Sequence, residues 1–76
     1  MEQRLEWVVV NKMELGTYEG KFNRNSFLGF EKGKTYTFEL DKKPNQPYDI
    51  YEESGLYLIL SSEASINYYF TNLKKI

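Results

Sequence analysis

The chain has 76 residues, 10 Lys and Arg against 11 Asp and Glu, seven Tyr, five Phe and one Trp, and neither His nor Cys. Without those two residue types no Ser-His-Asp triad, cysteine nucleophile, imidazole proton shuttle or Cys/His zinc site can be assembled, and no disulfide can brace the fold. The length fits one domain, 1–76, and the net charge of −1 provides no global field to draw in nucleic acid or an anionic membrane.

The chain opens on Met1-Glu2-Gln3-Arg4, which has no secretory pattern, and its apolar runs are far shorter than the ~20 residues of a membrane-spanning helix. A cytoplasmic protein with no membrane contact is expected. Trp7 to Glu19 reads as one long extended segment, bent near Asn11-Lys12, where Val8 and Val10 change parity with Val9, Met13 and Leu15. Gly16 and Gly20 mark its far end, and the polar stretch from Gly20 to Ser26 reads as a loop.

Lys34 to Asp41 is the clearest strand, with Tyr36, Phe38 and Leu40 alternating against Thr35, Thr37, Glu39 and Asp41. Asp41 to Pro47 holds both prolines and reads as a loop. Tyr48 to Glu53 is a second strand with Tyr48 and Ile50 on one side. Ser54-Gly55 then supplies a turn, and Leu56 to Leu60, apolar on both faces, completes a hairpin. Ser62 is a candidate N-cap, and Glu63 suits the first turn of a helix. One or two helical turns are expected near 62–69, of 3₁₀ type, followed by a last short strand from Phe70 or Thr71 to Ile76. A chain this extended predicts a small all-β barrel.

The stretch from Ser26 to Tyr36 resembles the diverging turn of SH3-like barrels. Leu28 and Phe30 stand as an alternating apolar pair on one side of Gly29, Lys32-Gly33 as the turn, and Tyr36 and Phe38 as the next inward face. Gly33 permits the positive φ of a tight reversal. The remaining spacing, over residues 8–76, follows the same plan. The resemblance implies a five-stranded SH3-like barrel with one short helical turn. The chain also looks like the small SH3-like proteins of phages and mobile elements of low-GC bacteria. Proline-peptide-binding members of the fold carry an acidic first loop and an exposed Trp after the second loop. Here the 20–26 loop is basic and rich in amides, and the one Trp is Trp7, so a proline-rich ligand is not implied.

Alternation assigns Phe30, Tyr36, Phe38, Tyr48 and Phe70 to the core. Tyr51 and Tyr57 lie on the two arms of the hairpin with outward parity, and form a candidate cross-strand pair. Tyr68, Tyr69 and Phe70 cannot all point inward from one turn. The surplus rings Tyr51, Tyr57, Tyr68, Tyr69 and Trp7 are therefore the candidate partner-binding residues, because tyrosine gives large contact area at low entropic cost. Lys21, Arg24, Lys42 and Lys43 are the candidate residues for a nucleic-acid surface, through phosphate contacts beside aromatic rings. The carboxylates Glu39, Asp41, Asp49, Glu52 and Glu53 fit period-two placement on a solvent face. No phosphate loop, dinucleotide fingerprint or calcium loop is present. The expectation is thus a non-enzymatic protein-interaction module without cofactor or metal, of the kind a phage or mobile element encodes to inhibit a host protein. The alternative is a small-barrel nucleic-acid-binding protein. Self-association is a further option, through edge pairing of the Trp7–Val10 run.

Overall fold

The structure, a computed structural model, describes residues 13–76. Trp7, the Trp7–Val10 run and the bend expected at Asn11-Lys12 lie outside the described residues. Five strands and one helix follow in order: β1 Gly16–Phe22, β2 Thr35–Lys42, β3 Tyr48–Glu52, β4 Tyr57–Leu60, α1 Glu63–Tyr69 and β5 Phe70–Lys75. The strands form one antiparallel sheet in the order β4-β3-β2-β1-β5. α1 joins the two outermost strands of that order. The chain is therefore an all-β domain with a single short helix among the described residues.

Alternation sets the inward face. Tyr36, Phe38 and Leu40 of β2, Tyr48 and Ile50 of β3, and Leu58 and Leu60 of β4 are all buried. Phe30, from the connection before β2, and Ile66, from α1, belong to the same buried cluster. At the centre Phe22, Phe30, Phe38 and Phe70 are packed ring against ring, with Phe70 edge-on to Phe22 and Phe30 at 5.5 and 5.8 Å. Offset and edge-to-face contacts of this kind add ~0.5–1.5 kcal/mol each beyond area burial.

β1 departs from expectation. Gly16 opens the strand rather than closing it, and Gly20, Lys21 and Phe22 belong to the ladder instead of a loop. The inward positions are Tyr18, Gly20 and Phe22, so a glycine occupies one of the three places where alternation expects an apolar side chain. Gly20 is there for space. A Cβ at that position would stand 2.9 Å from Leu73 Cδ2 and 3.3 Å from Phe70 Cβ. β5 comes this close because it carries an extra residue. Lys21 pairs with Thr71 but Glu19 pairs with Lys74, and Asn72 takes φ 55° inside the resulting bulge.

The turn before β2 also differs. Phe27 and Phe30 exchange both backbone hydrogen bonds at 2.9 Å around Leu28-Gly29, which have φ 51° and 91°. That reversal sends the two side chains apart: Phe30 is fully buried, while Leu28 is 60% exposed rather than sharing its side. Gly33, with φ 88°, makes the second turn as expected, its N–H donating to Phe22 O at 2.8 Å.

Glu52 is the exception among the carboxylates expected on the solvent face. It continues the inward parity of Tyr48 and Ile50 and is 8% exposed. Its Oε1 accepts from Ser54 N at 3.0 Å, Ser54 Oγ at 2.5 Å and Leu56 N at 3.4 Å. A single buried oxygen thereby gathers the hairpin turn around it. α1 is an α-helix, not a 3₁₀ turn. Ser62 caps it by accepting from Ser65 N at 3.2 Å, and Ile66 N donates to Ser62 O at 3.1 Å.

Candidate interaction surfaces

The side chains that the sequence singles out fall into three places. The first is the outer face of the sheet. Tyr51 of β3 stands directly opposite Tyr57 of β4. Their rings are stacked, with centroids 5.0 Å apart, and remain 45% and 42% exposed. The pair continues across the sheet: Tyr51 is opposite Glu39 of β2, which is opposite Thr17 of β1. Thr17 Oγ1 donates to Glu39 Oε1 at 2.7 Å. In the next row Asp41 is opposite Asp49, and Asp49 opposite Ile59, which is also exposed. The Tyr57 hydroxyl donates to Asp49 Oδ1 at 2.6 Å. This bond, then partial loss of water and the nearby negative charge, holds the Tyr57 hydroxyl proton until about pH 12.

The second place is a cleft of about 380 Å³ between the β1–β2 connection and the end of α1, lined by Arg24, Ser26, Phe27, Lys32, Tyr68 and Tyr69 among others. Tyr68 and Tyr69, both expected among the surplus rings, are placed differently by the fold. Tyr68 is exposed, whereas Tyr69 packs on Phe22 at 6.0 Å and on Phe27 at 6.4 Å. Arg24 belongs to Tyr68. Its guanidinium carbon lies 3.6 Å from the ring centroid, and its Nε donates to Tyr68 O at 2.9 Å.

The third place is a cleft of about 420 Å³ around the β2–β3 loop, lined by Met13, Leu15, Lys42, Lys43, Pro44, Tyr48, Ser61 and Glu63. Here the Tyr48 hydroxyl hydrogen-bonds the Glu63 carboxylate. Burial, then that bond, raises the Tyr48 hydroxyl to about 12. The Lys42 ammonium lies 5.8 Å from the Tyr48 ring.

The four candidate cations do not gather. Lys21 is paired with the first residue of β2, and Lys42 is the last residue of that strand. The separation along β2 is roughly 23 Å at the usual rise per residue. Among the described residues, no cluster of three or more acidic side chains converges in a way that would hold a metal ion. No helix among them is long and apolar enough to cross a membrane.

Sequence reasoning put Leu28 on one side with Phe30 and gave no role to Phe27 or Ile59, and all three are exposed. Ile59 was within reach, since its parity opposes Leu58 and Leu60. Comparison with protein-family models, curated proteins and solved structures returns no match.

Proposed function

We propose that the chain is a non-catalytic protein-interaction module whose contact surface is the outer face of the sheet around Tyr51 and Tyr57. The observation that carries this reading is the stacked tyrosine pair itself. Two large rings stand half-exposed on the β3–β4 pair, beside exposed Ile59, and none of the described residues covers them. Rigid aromatic rings held by cross-strand stacking lose little freedom on binding, which is why such residues dominate interface energetics. Tyr57 is further fixed by its bond to Asp49. The strand order, with a helix before the last strand, supports reading the fold as SH3-like. An inhibitor that works by occupying a surface of a host protein, as the resemblance to phage and mobile-element proteins implies, needs no more than such a face.

The test is a photo-crosslinking amino acid placed at Tyr57 and, as control, at exposed Gln46. In a lysate of the organism that carries the protein, position 57 should give discrete protein adducts that position 46 does not. Tyr51→Ala should remove them. Identical adducts from both positions, or none from position 57, would count against the outer face as the contact.

A further inference from the structure

The charges on the outer face are segregated in a way that the near-neutral total conceals. On β2, β3 and β4 the outward residues are Thr35, Thr37, Glu39, Asp41, Asp49, Tyr51, Tyr57 and Ile59, followed by Glu53 in register with Thr37. There is no Lys or Arg among them. The cations on this side of the sheet, Lys21 and Lys74, stand on β1 and β5. Lys75 pairs with Glu14 at 3.8 Å, and Glu39, Asp41, Asp49 and Glu53 form no ion pair with a described Lys or Arg. Glu39 and Asp49 take only the neutral hydroxyl donors of Thr17 and Tyr57.

Asp41 and Asp49 are the telling residues. They are directly opposed across β2 and β3, both partly buried. Like charges facing each other across a strand pair destabilise it. The Asp49 carboxylate serves the Tyr57 hydroxyl, but among the described residues no hydrogen bond or ion pair uses the Asp41 carboxylate. An arrangement that costs the fold stability and forms no ion pair among the described residues is what a cationic ligand would relieve.

We infer that the outer face of β2–β4 receives an arginine-bearing segment of a partner protein, with guanidinium groups set between the Glu39, Asp41 and Asp49 carboxylates and the Tyr51–Tyr57 rings. This rests on the contact face proposed above and assigns its chemistry. The sign of the charge excludes a phosphate backbone. Arginine suits the face better than lysine, because a planar guanidinium can both fork onto a carboxylate and lie on a tyrosine ring. The chain contains that stacking geometry once already, in Arg24 over Tyr68.

The full chain, isotope-labelled, is titrated with a twelve-residue peptide of alternating Arg and Gly, and with its Lys-Gly and Glu-Gly counterparts. The Arg peptide should shift the amides of Glu39, Asp41, Asp49, Tyr51 and Tyr57. It should bind about threefold or more tighter than the Lys peptide, the affinity worth of one partly exposed charged contact. Asp41→Asn should weaken that binding roughly threefold. The same variant should unfold at higher denaturant concentration, because the opposed pair is gone. A merely structural Asp41 would not move the two readouts in opposite directions. Equal affinity for the Lys or Glu peptide overturns the assignment. So do shifts confined to other surfaces, or none at about 1 mM peptide. If position 57 crosslinks to proteins while the arginine peptide leaves this face unshifted, the contact face stands and its arginine partner falls.

Discussion

Leu28 holds a conformation that its side chain opposes. A residue with a Cβ in the left-handed region costs roughly 1–2 kcal/mol, and a leucine there offers no local hydrogen bond in return. Leu28 recovers little by packing, since it is mostly exposed. Leu28→Asn, the residue such two-residue turns favour, should therefore stabilise the protein by about 0.5–1 kcal/mol, read as a higher urea midpoint with an unchanged slope. The position also marks a limit of period-two reading. Leu28-Gly29-Phe30 looks like alternation, but the pattern presumes an extended backbone, and Gly29 lets the chain reverse instead. Glu52 deceived for a related reason. It is expected on the solvent face with the other carboxylates, although it shares the parity of Tyr48 and Ile50, which are inward. The Ser54 hydroxyl and the turn amides, brought in by the hairpin, make the inward position tenable. Tyr51 and Tyr57 were legible because each has clear outward parity and a Ser-Gly turn joins their strands.

At the scale of elements, the contact between β1 and β5 turns on one missing side chain. Gly20→Ala would drive a methyl group against Leu73 and against Phe70, which is locked among Phe22, Phe30 and Phe38. Overpacking of this kind costs about 1–3 kcal/mol. The entropy withdrawn from the unfolded chain by the same change returns only ~0.4–1 kcal/mol. A net loss of stability is expected in chemical denaturation, with the largest amide shifts in Phe70–Leu73. β2 and β3 could be read from sequence because each alternates around bulky side chains, and β4 because an apolar run follows the Ser54-Gly55 turn. β1 could not, since the inward glycine and the polar run after Phe22 imitate a loop. Its pairing with β5 depends on a bulge at Asn72 that no local pattern announces. The helix was found through its cap, Ser62, but its type was not, because seven residues carry too little periodicity to separate α from 3₁₀.

For the molecule as a whole, the tyrosine hydroxyls set an alkaline limit. Burial and the Glu63 carboxylate raise Tyr48 to about 12, and Tyr18 is raised as well, chiefly by burial. In the unfolded chain these groups titrate near 10. Below about pH 10 both states hold the proton and the full stability is present. Between about 10 and 12 the unfolded chain releases protons that the folded one retains, so stability falls through that window. Denaturation midpoints should be flat to about pH 9 and drop above 10, and Tyr48→Phe should make the drop shallower. An equally steep fall in the variant would count against Tyr48 as its source. Whole-molecule electrostatics was also the part of the site least visible in sequence. Nearly equal numbers of acids and bases hide the fact that register collects carboxylates on one face, and register belongs to the fold rather than to any segment.

The pairing of Phe22 with Phe70 has a consequence in time. Every other strand pair joins neighbours in the chain, and the β3–β4 hairpin can form almost as soon as its residues meet. β1 must wait for β5, across nearly the whole described chain, and the loop-closure entropy is lost before the contact returns any energy. The four-phenylalanine cluster draws on both ends, so it cannot close before that last strand arrives. During synthesis Phe22, Phe30 and Phe38 would emerge first and stay without their capping ring until Phe70 has left the ribosome. A chain stalled before that residue presents open aromatic surface, and this is the interval in which association with other chains competes most directly with folding.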